Sequence, residues 1–372
     1  MPHPDLQYYI ALSMAPNIGP VTAKKLIREV GSVRSVYSRS ERDLLRIHGI
    51  GPQLAACLRT PGLLDKAARE MEFIEKHRIR ALTYLDRDYP KKLTECDDGP
   101  IVIYAYGDHD LTRGKYLSVV GTRNATSRGR EICREFVQKL ACLFDDLVIV
   151  SGLAYGIDVC AHRQALDSGI RTIAILGHGL ATIYPRAHRE TAKKIGEQGC
   201  LLTDFHSPMG PERNNFLRRN RIIAGISQST LVVESGKTGG ALTTASMAVS
   251  YNRDLFAIPG RIDDRRSDGC NYLIRVNLAH LAQRPEDIAW TLGWRTDPAR
   301  EKEMYQFRIF PADDERKILQ QIKENPDSEP GAISRRTGIP IQNVLSALLE
   351  MELKRWVTLL PGNTYRIRGD VV

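Results

Sequence analysis

Leu147-Val148-Ile149-Val150-Ser151-Gly152-Leu153-Ala154-Tyr155-Gly156-Ile157-Asp158 is the stretch that decides the fold. Its first four residues are apolar without interruption, as expected of a strand covered on both faces. The small residues that follow suit a chain that leaves the strand and enters a helix at once. Ser151 and Gly152 offer a small hydroxyl and an accessible backbone at that helix start, and Asp158 is placed to cap or brace the turn.

The same rhythm extends in both directions. Strands are expected at Tyr116–Val120, Leu147–Val150, Thr172–Leu176, Cys200–Phe205, Thr230–Glu234 and Asp254–Ile258. Helical segments of about ten or more residues separate most of them, which implies right-handed crossovers and a parallel sheet. The fold class is therefore α/β, with an extended Rossmann-like parallel-sheet core over residues 81–290. A binding site belongs at the carboxyl ends of its strands. Before the main run, residues 81–115 read as a connector with short strands at Ala81–Leu85 and Ile101–Tyr106.

Two further units flank the core. Residues 1–80 repeat a hairpin: Pro16-Asn17-Ile18-Gly19-Pro20 aligns with His48-Gly49-Ile50-Gly51-Pro52 at an offset of 32. Each copy leads into small and apolar residues at helical spacing, so this segment is expected to be an N-terminal helical, helix-hairpin-helix or SAM-like domain. Lys24, Lys25 and Arg28 fit a grip on a nucleic-acid backbone; a hairpin kept only for packing is the other reading. Residues 291–310 read as a polar linker. From 311 to 372, helices at Asp313–Glu324, Gly331–Thr337 and Pro340–Glu352 precede strands at Trp356–Leu359 and Thr364–Ile367, the pattern of a C-terminal winged-helix domain. Its third helix carries no Lys or Arg between Ile341 and Leu353. Protein contact, or weak DNA contact through Arg366 and Arg368, fits it better than sequence reading in a duplex.

Glycine-rich turns mark the strand ends. Gly121-Thr122-Arg123 follows the first core strand. It is not a dinucleotide fingerprint, since no Gly-x-Gly-x-x-Gly follows and no acidic residue closes the second strand. Gly177-His178-Gly179-Leu180 follows the third, with Tyr184-Pro185 beyond. Ser235-Gly236-Lys237-Thr238-Gly239-Gly240 follows the fifth and suits an anion nest at a helix N-terminus. Its Lys precedes the paired glycines, unlike a Walker loop. Between the fourth and fifth strands lies Phe216-Leu-Arg-Arg-Asn-Arg-Ile-Ile-Ala-Gly-Ile226. Arg213, Arg218, Arg219 and Arg221 fall within nine residues, with only Glu212 opposing them nearby. Guanidinium groups bind phosphate through a planar fork, and Phe216 can stack on a base. Together with Arg123, these turns predict one phosphate-binding surface. His162 is expected to be structural. Glu234 is the only carboxylate placed to be considered for catalysis.

The chain has 372 residues, 42% of them hydrophobic, and a net charge of +9. Residues 1–80 carry 13 Lys and Arg against 8 Asp and Glu, whereas residues 311–372 carry 9 of each. The excess favours an anionic partner. The seven cysteines are scattered, with no Cys-x-x-Cys pair, which fits reduced thiols in a cytoplasmic protein. No apolar run is long enough to span a bilayer, and the N-terminus lacks the regions of a signal peptide.

The motifs jointly resemble those of the DprA/Smf DNA-processing protein family. They are Val120–Arg123, Ser151–Asp158 with Ala161-His162, Gly177-x-Gly179-Leu180 with Tyr184-Pro185, Phe216-x-x-Arg219–Gly225, Val233-Glu234, Gly239–Thr243, Pro259-Gly260 and Gly269-x-Asn271-x-Leu273-Ile274. Their order covers about residues 85–280. Thr203-Asp204 stands where a Ser-Glu pair is usual, and Val276-Asn277-Leu278 where Gly-Ala is usual. The resemblance implies a non-enzymatic, dimeric protein without cofactor or metal. Such a protein protects incoming single-stranded DNA during natural transformation and loads the RecA recombinase. Carried over by position, its DNA pocket would comprise Gly121, Thr122, Arg123, Ser151, Gly152, Arg213, Phe216, Arg219, Asn220, Arg221, Lys237, Thr238, Gly239 and Gly240. The rival is a nucleotide-processing enzyme of the lysine-decarboxylase-like phosphoribohydrolase type, from the likeness of the Lys237–Thr244 turn with Glu234. That loop lacks the Glu and Arg order such chemistry needs.

Overall fold

The computed structural model describes residues 3–107, 109–294, 313–353 and 356–367. The chain divides into two compact units, Met1–Arg295 and Thr296–Val372. Most of the expected linker, from residue 295 to residue 310, lies outside the described residues.

The first unit opens with α1 (Leu6–Met14), α2 (Pro20–Val30), α3 (Val33–Ser38), α4 (Glu41–Leu44), α5 (Pro52–Leu58) and α6 (Leu63–Lys76). The sequence repeat is a structural one. Gly19 caps α2 at φ −81°, ψ 169°, and Gly51 caps α5 at φ −89°, ψ 173°. A proline follows each cap, where a missing N–H costs nothing. The hairpin lysines are engaged within the chain. Lys24 Nζ donates to the carbonyls of Cys96 and Asp97 at 3.1 Å, and Lys25 Nζ donates to the carbonyl of His48. Both lysines therefore brace the fold, while Arg28 stays exposed, 3.8 Å from Glu29.

Then come β1 (Arg80–Thr83), α7 (Lys91–Thr94), β2 (Val102–Tyr106), β3 (Lys115–Val120), α8 (Ser127–Leu143), β4 (Leu147–Ser151), α9 (Ile157–Asp167), β5 (Arg171–Ile175), α10 (Arg189–Gln198), β6 (Cys200–Thr203), α11 (Arg213–Ile226), β7 (Ser229–Val232), α12 (Gly240–Ser250), β8 (Asp254–Ala257), α13 (Asp268–Arg275), β9 (His280–Leu281) and α14 (Pro285–Thr291). All nine strands form one sheet in the order β1-β2-β6-β5-β4-β3-β7-β8-β9. The seven from β6 to β9 are parallel.

One expectation is corrected here. The two strands read as a connector are part of the sheet, with β1 antiparallel to β2 and β2 antiparallel to β6. The reason is visible in β2. Ile103 and Ala105 face the core shared with Val148, Ile173 and Ile222. Val102 and Tyr104, on the other face, complete the core of the helical segment, beside Ile10 and Leu12. A buried carboxylate bolts that seam. Glu70 of α6 accepts from Ser207 N at 2.8 and 3.0 Å and from Ser207 Oγ at 2.6 Å.

Strand order reverses at β3, which has β4 on one side and β7 on the other. A crevice opens at such a switch point, outside the carboxyl ends of the strands.

The second unit contains α15 (Asp313–Glu324), α16 (Pro330–Thr337), α17 (Ile341–Leu353), β10 (Val357–Leu360) and β11 (Thr364–Ile367), as expected for a winged helix. Ile318, Ile333, Val344, Leu348 and Met351 form its core. The outer face of α17 shows Ile341, Leu345, Leu349 and Leu353. Arg366 of the wing is paired with Asp327, its Nε donating at 2.7 Å. Arg368 lies outside the described residues.

Candidate nucleic-acid interface

The switch-point crevice is a cleft of about 730 Å³. Gly121, Thr122 and Arg123 line it from the end of β3, Ala154 and Asp158 from beyond β4, and Ser235, Gly236, Thr238, Gly239 and Gly240 from beyond β7. Arg213, Phe216, Arg219 and Asn220 of α11 form the remaining wall. The N-terminus of α12 opens into it at Gly240, Ala241, Thr243 and Thr244. The first N–H groups of a helix have no partner within it and attract anions. Gly239 holds φ 150°, a conformation closed to L side chains. Asn220 Nδ2 donates to the Gly240 carbonyl at 3.3 Å and so fixes α12 against α11.

The arginines of α11 do not act together. Arg213 is exposed at the cleft mouth. Arg218 turns away and lies over the Phe205 ring, 5.1 Å from its centroid. Arg219 is buried at the cleft floor, 3% exposed. Its Nη1 donates to Gly152 O at 2.6 Å and to Ile175 O, so it ties the ends of β4 and β5. Burial pushes its pKa down to about 10, with Asp158 opposing the shift, and it remains charged at neutral pH. Burial raises the Asp158 carboxyl, opposed by Arg219. Asp158 Oδ2 also accepts from Gly152 N at 3.2 Å, the bracing expected of it.

Phe216 is the centre of the surface. Its half-buried ring lies 5.7 Å from the Arg123 guanidinium and 5.9 Å from that of Arg219. Tyr184 stands 5.7 Å from the same ring, tilted by 38°. Tyr184 is 47% exposed and lines the cleft, and sequence reasoning did not include it among the binding residues. The signal was present in the Tyr184-Pro185 motif. His178 positions it: Tyr184 N donates to His178 Nε2 at 3.2 Å, leaving Nδ1 to donate to Gly179 O at 2.9 Å. Burial lowers the His178 pKa, in keeping with that neutral ring.

Several expected site residues fall elsewhere. Ser151 is fully buried, and its Oγ donates to Val119 O at 2.6 Å. It knits β4 to β3 and presents nothing to a ligand. Gly152 lies beneath Arg219, where an added Cβ would strike the guanidinium. Its smallness makes room for that arginine. Gly177 likewise seats Phe216, whose Cδ1 would be 2.7 Å from a Cβ there. Arg221 points into the body of the protein, paired with buried Asp204 and donating to Asp98 O. Lys237 is exposed but lines a neighbouring hollow with Tyr272 and Arg275. His162 is buried, with Nδ1 2.7 Å from Thr172 Oγ1. Glu234 is 5% exposed and accepts from Thr126 N at 2.9 Å and Thr126 Oγ1 at 3.2 Å, bracing the start of α8.

Residues 80–293 match the family described as DNA recombination-mediator protein A. Residues 309–363 match the DprA winged helix domain, and residues 9–58 the SAM-like helix-hairpin-helix tandem. Protein Smf of Escherichia coli is 34% identical over 364 residues, covering 91% of this chain and 94% of the relative. The X-ray structure of DNA processing protein A from Streptococcus pneumoniae superposes with a TM-score of 0.63 at 31% identity, over 77% of this chain and 98% of that one. A structure of DNA processing protein A from Helicobacter pylori, described for its single-stranded DNA binding mode, gives 0.53 at 26% identity, over 59% and 98%.

Proposed function

Because this chain belongs to the DNA recombination-mediator protein A family, also called DprA or Smf, we propose that it binds single-stranded DNA in the switch-point cleft. In this reading it works in the cytoplasm as a homodimer and as a binding protein, not an enzyme. It shields the incoming strand during natural transformation or recombination and hands it to the RecA recombinase.

The observation that carries the reading is the grouping around Phe216. A half-buried aromatic ring lies beside an exposed arginine, Arg123, in an open cleft that receives a helix N-terminus. Charge tracks a phosphate backbone and a ring accepts any base, which together give affinity without sequence preference. Arg123 and Arg213 would contact phosphates, and Phe216 with Tyr184 would take the bases. Arg219 would add its fixed charge from the floor. Thr122, Thr238, Gly239 and Gly240 would offer hydroxyl and backbone groups to the strand. The rival, a phosphoribohydrolase, is disfavoured by the missing Glu and Arg order of the Lys237–Thr244 loop, and Glu234 is 5% exposed and braces Thr126.

Fluorescence anisotropy with one oligonucleotide in single-stranded and duplex form, across a salt titration, tests this. The single strand should bind far more tightly, whatever its sequence. Its log affinity should fall with log salt by roughly 0.7 per phosphate contact. Equal affinity for both forms, or none, would sink the reading. The recombinase step is tested separately, by the rate of RecA filament assembly on protein-coated single strands with and without this chain.

A further inference from the structure

We infer that the bound single strand continues beyond Arg123 into a second, arginine-lined groove between α8 and α9. The inference rests on the function proposed above and extends its footprint. This groove is about 680 Å³, close to the size of the first cleft, and Arg123 lines both. Arg130 and Arg134 of α8, Arg163 of α9 and Arg266 from the turn before α13 line it, against a single carboxylate, Asp167.

What distinguishes three of these arginines from ordinary surface charge is how they are held. Arg130 donates to Ala125 O and to Ser127 Oγ. Arg163 Nε donates to Thr191 Oγ1 at 3.3 Å, and Arg266 Nη1 to Asn124 O at 3.1 Å. Their partners are neutral oxygens. Among the described residues none of the four is in an ion pair. Guanidinium groups fixed in place but not neutralised form a preorganised field for an anion. The pKa of the Cys160 thiol, which lines the groove, is lowered, first by the neighbouring Cys133 and further by Arg134 and Arg130. Tyr155 also lines the groove, 48% exposed and braced edge-on against His188 at 4.8 Å. Arginines with an interleaved aromatic suit a polyanion carrying bases better than a free phosphate.

The test uses the full chain and oligothymidylates from about 4 to about 16 nucleotides, the range over which single-strand grooves are filled. Arg134→Glu with Arg163→Glu changes two exposed side chains outside the first cleft. The shortest strands should bind the variant as they bind the wild type, which also certifies its fold. The gain in affinity with length should be lost, and the salt slope on long strands should fall by about 1.4, the equivalent of two phosphate contacts. The same pair changed to Gln should fall between the two. Wild-type affinity and slope on long strands would overturn the second groove and leave the first intact. Loss of short-strand affinity in both variants would also overturn it, because the two grooves would not be separate. A wild type that binds neither length would overturn the functional reading itself.

Discussion

Arg219 and Arg221 stand two positions apart on α11 and have opposite fates. Two residues turn a helix by roughly 200°, so one guanidinium reaches the cleft and the other the protein interior. Arg221→Ala would leave Asp204 buried and unpaired, and its side chain is only 6% exposed. A loss of about 3–5 kcal/mol in urea unfolding is expected, with single-strand affinity unchanged in the protein that remains folded. Arg123→Ala should do the reverse. Its side chain is exposed, so stability should shift by no more than about 0.5 kcal/mol. Its salt slope should flatten by about 0.7, and an unchanged slope would remove Arg123 from the interface. The sequence pooled these arginines into one surface. What it could not display was helical phase combined with a partner 17 residues away. Asp204 belongs to the pair that departs from the family pattern, and both members have work to do. Thr203 Oγ1 donates to His178 O at 3.0 Å, and Asp204 holds Arg221.

At the scale of elements, the longer parallel strands were legible because most are apolar on nearly every position. β1 and β2 were legible as strands but not as members of the sheet. Their second apolar face is covered by helices that precede them, and periodicity does not name the covering partner. β9 has two residues, too short to leave a pattern. The reading of α17 carries a prediction. Its exposed face is Ile341, Leu345, Leu349 and Leu353, and the wing arginine Arg366 is already paired. A chain ending at Arg295 should therefore keep the single-strand affinity and salt slope of the whole protein. A large loss in the anisotropy titration would place part of the interface in the winged helix.

The whole molecule should be sensitive to mild acid. Burial lowers the His162 pKa to about 3 and the His109 pKa to about 4. Unfolded, both would titrate near 6.5, so the unfolded chain takes up protons that the folded one refuses. Stability fully present above that pH is lost as pH falls, by up to about 1.4 kcal/mol per unit for each ring. For His162 that is about 2 kcal/mol by pH 5. Asp158, whose carboxyl is raised, works in the opposite direction as it protonates. Urea midpoints at pH 7 and pH 5 check this, and His162→Asn should show a shallower fall. The seam between helices and sheet bears on synthesis. Val102 and Tyr104 belong to the core built by α1, α2 and α6. Residues 1–79 therefore cannot close that core when they leave the ribosome, and must wait for β2 to emerge. The segment made earlier is not the earlier to finish folding, and the newborn chain carries an apolar hollow shaped for the strand that follows it.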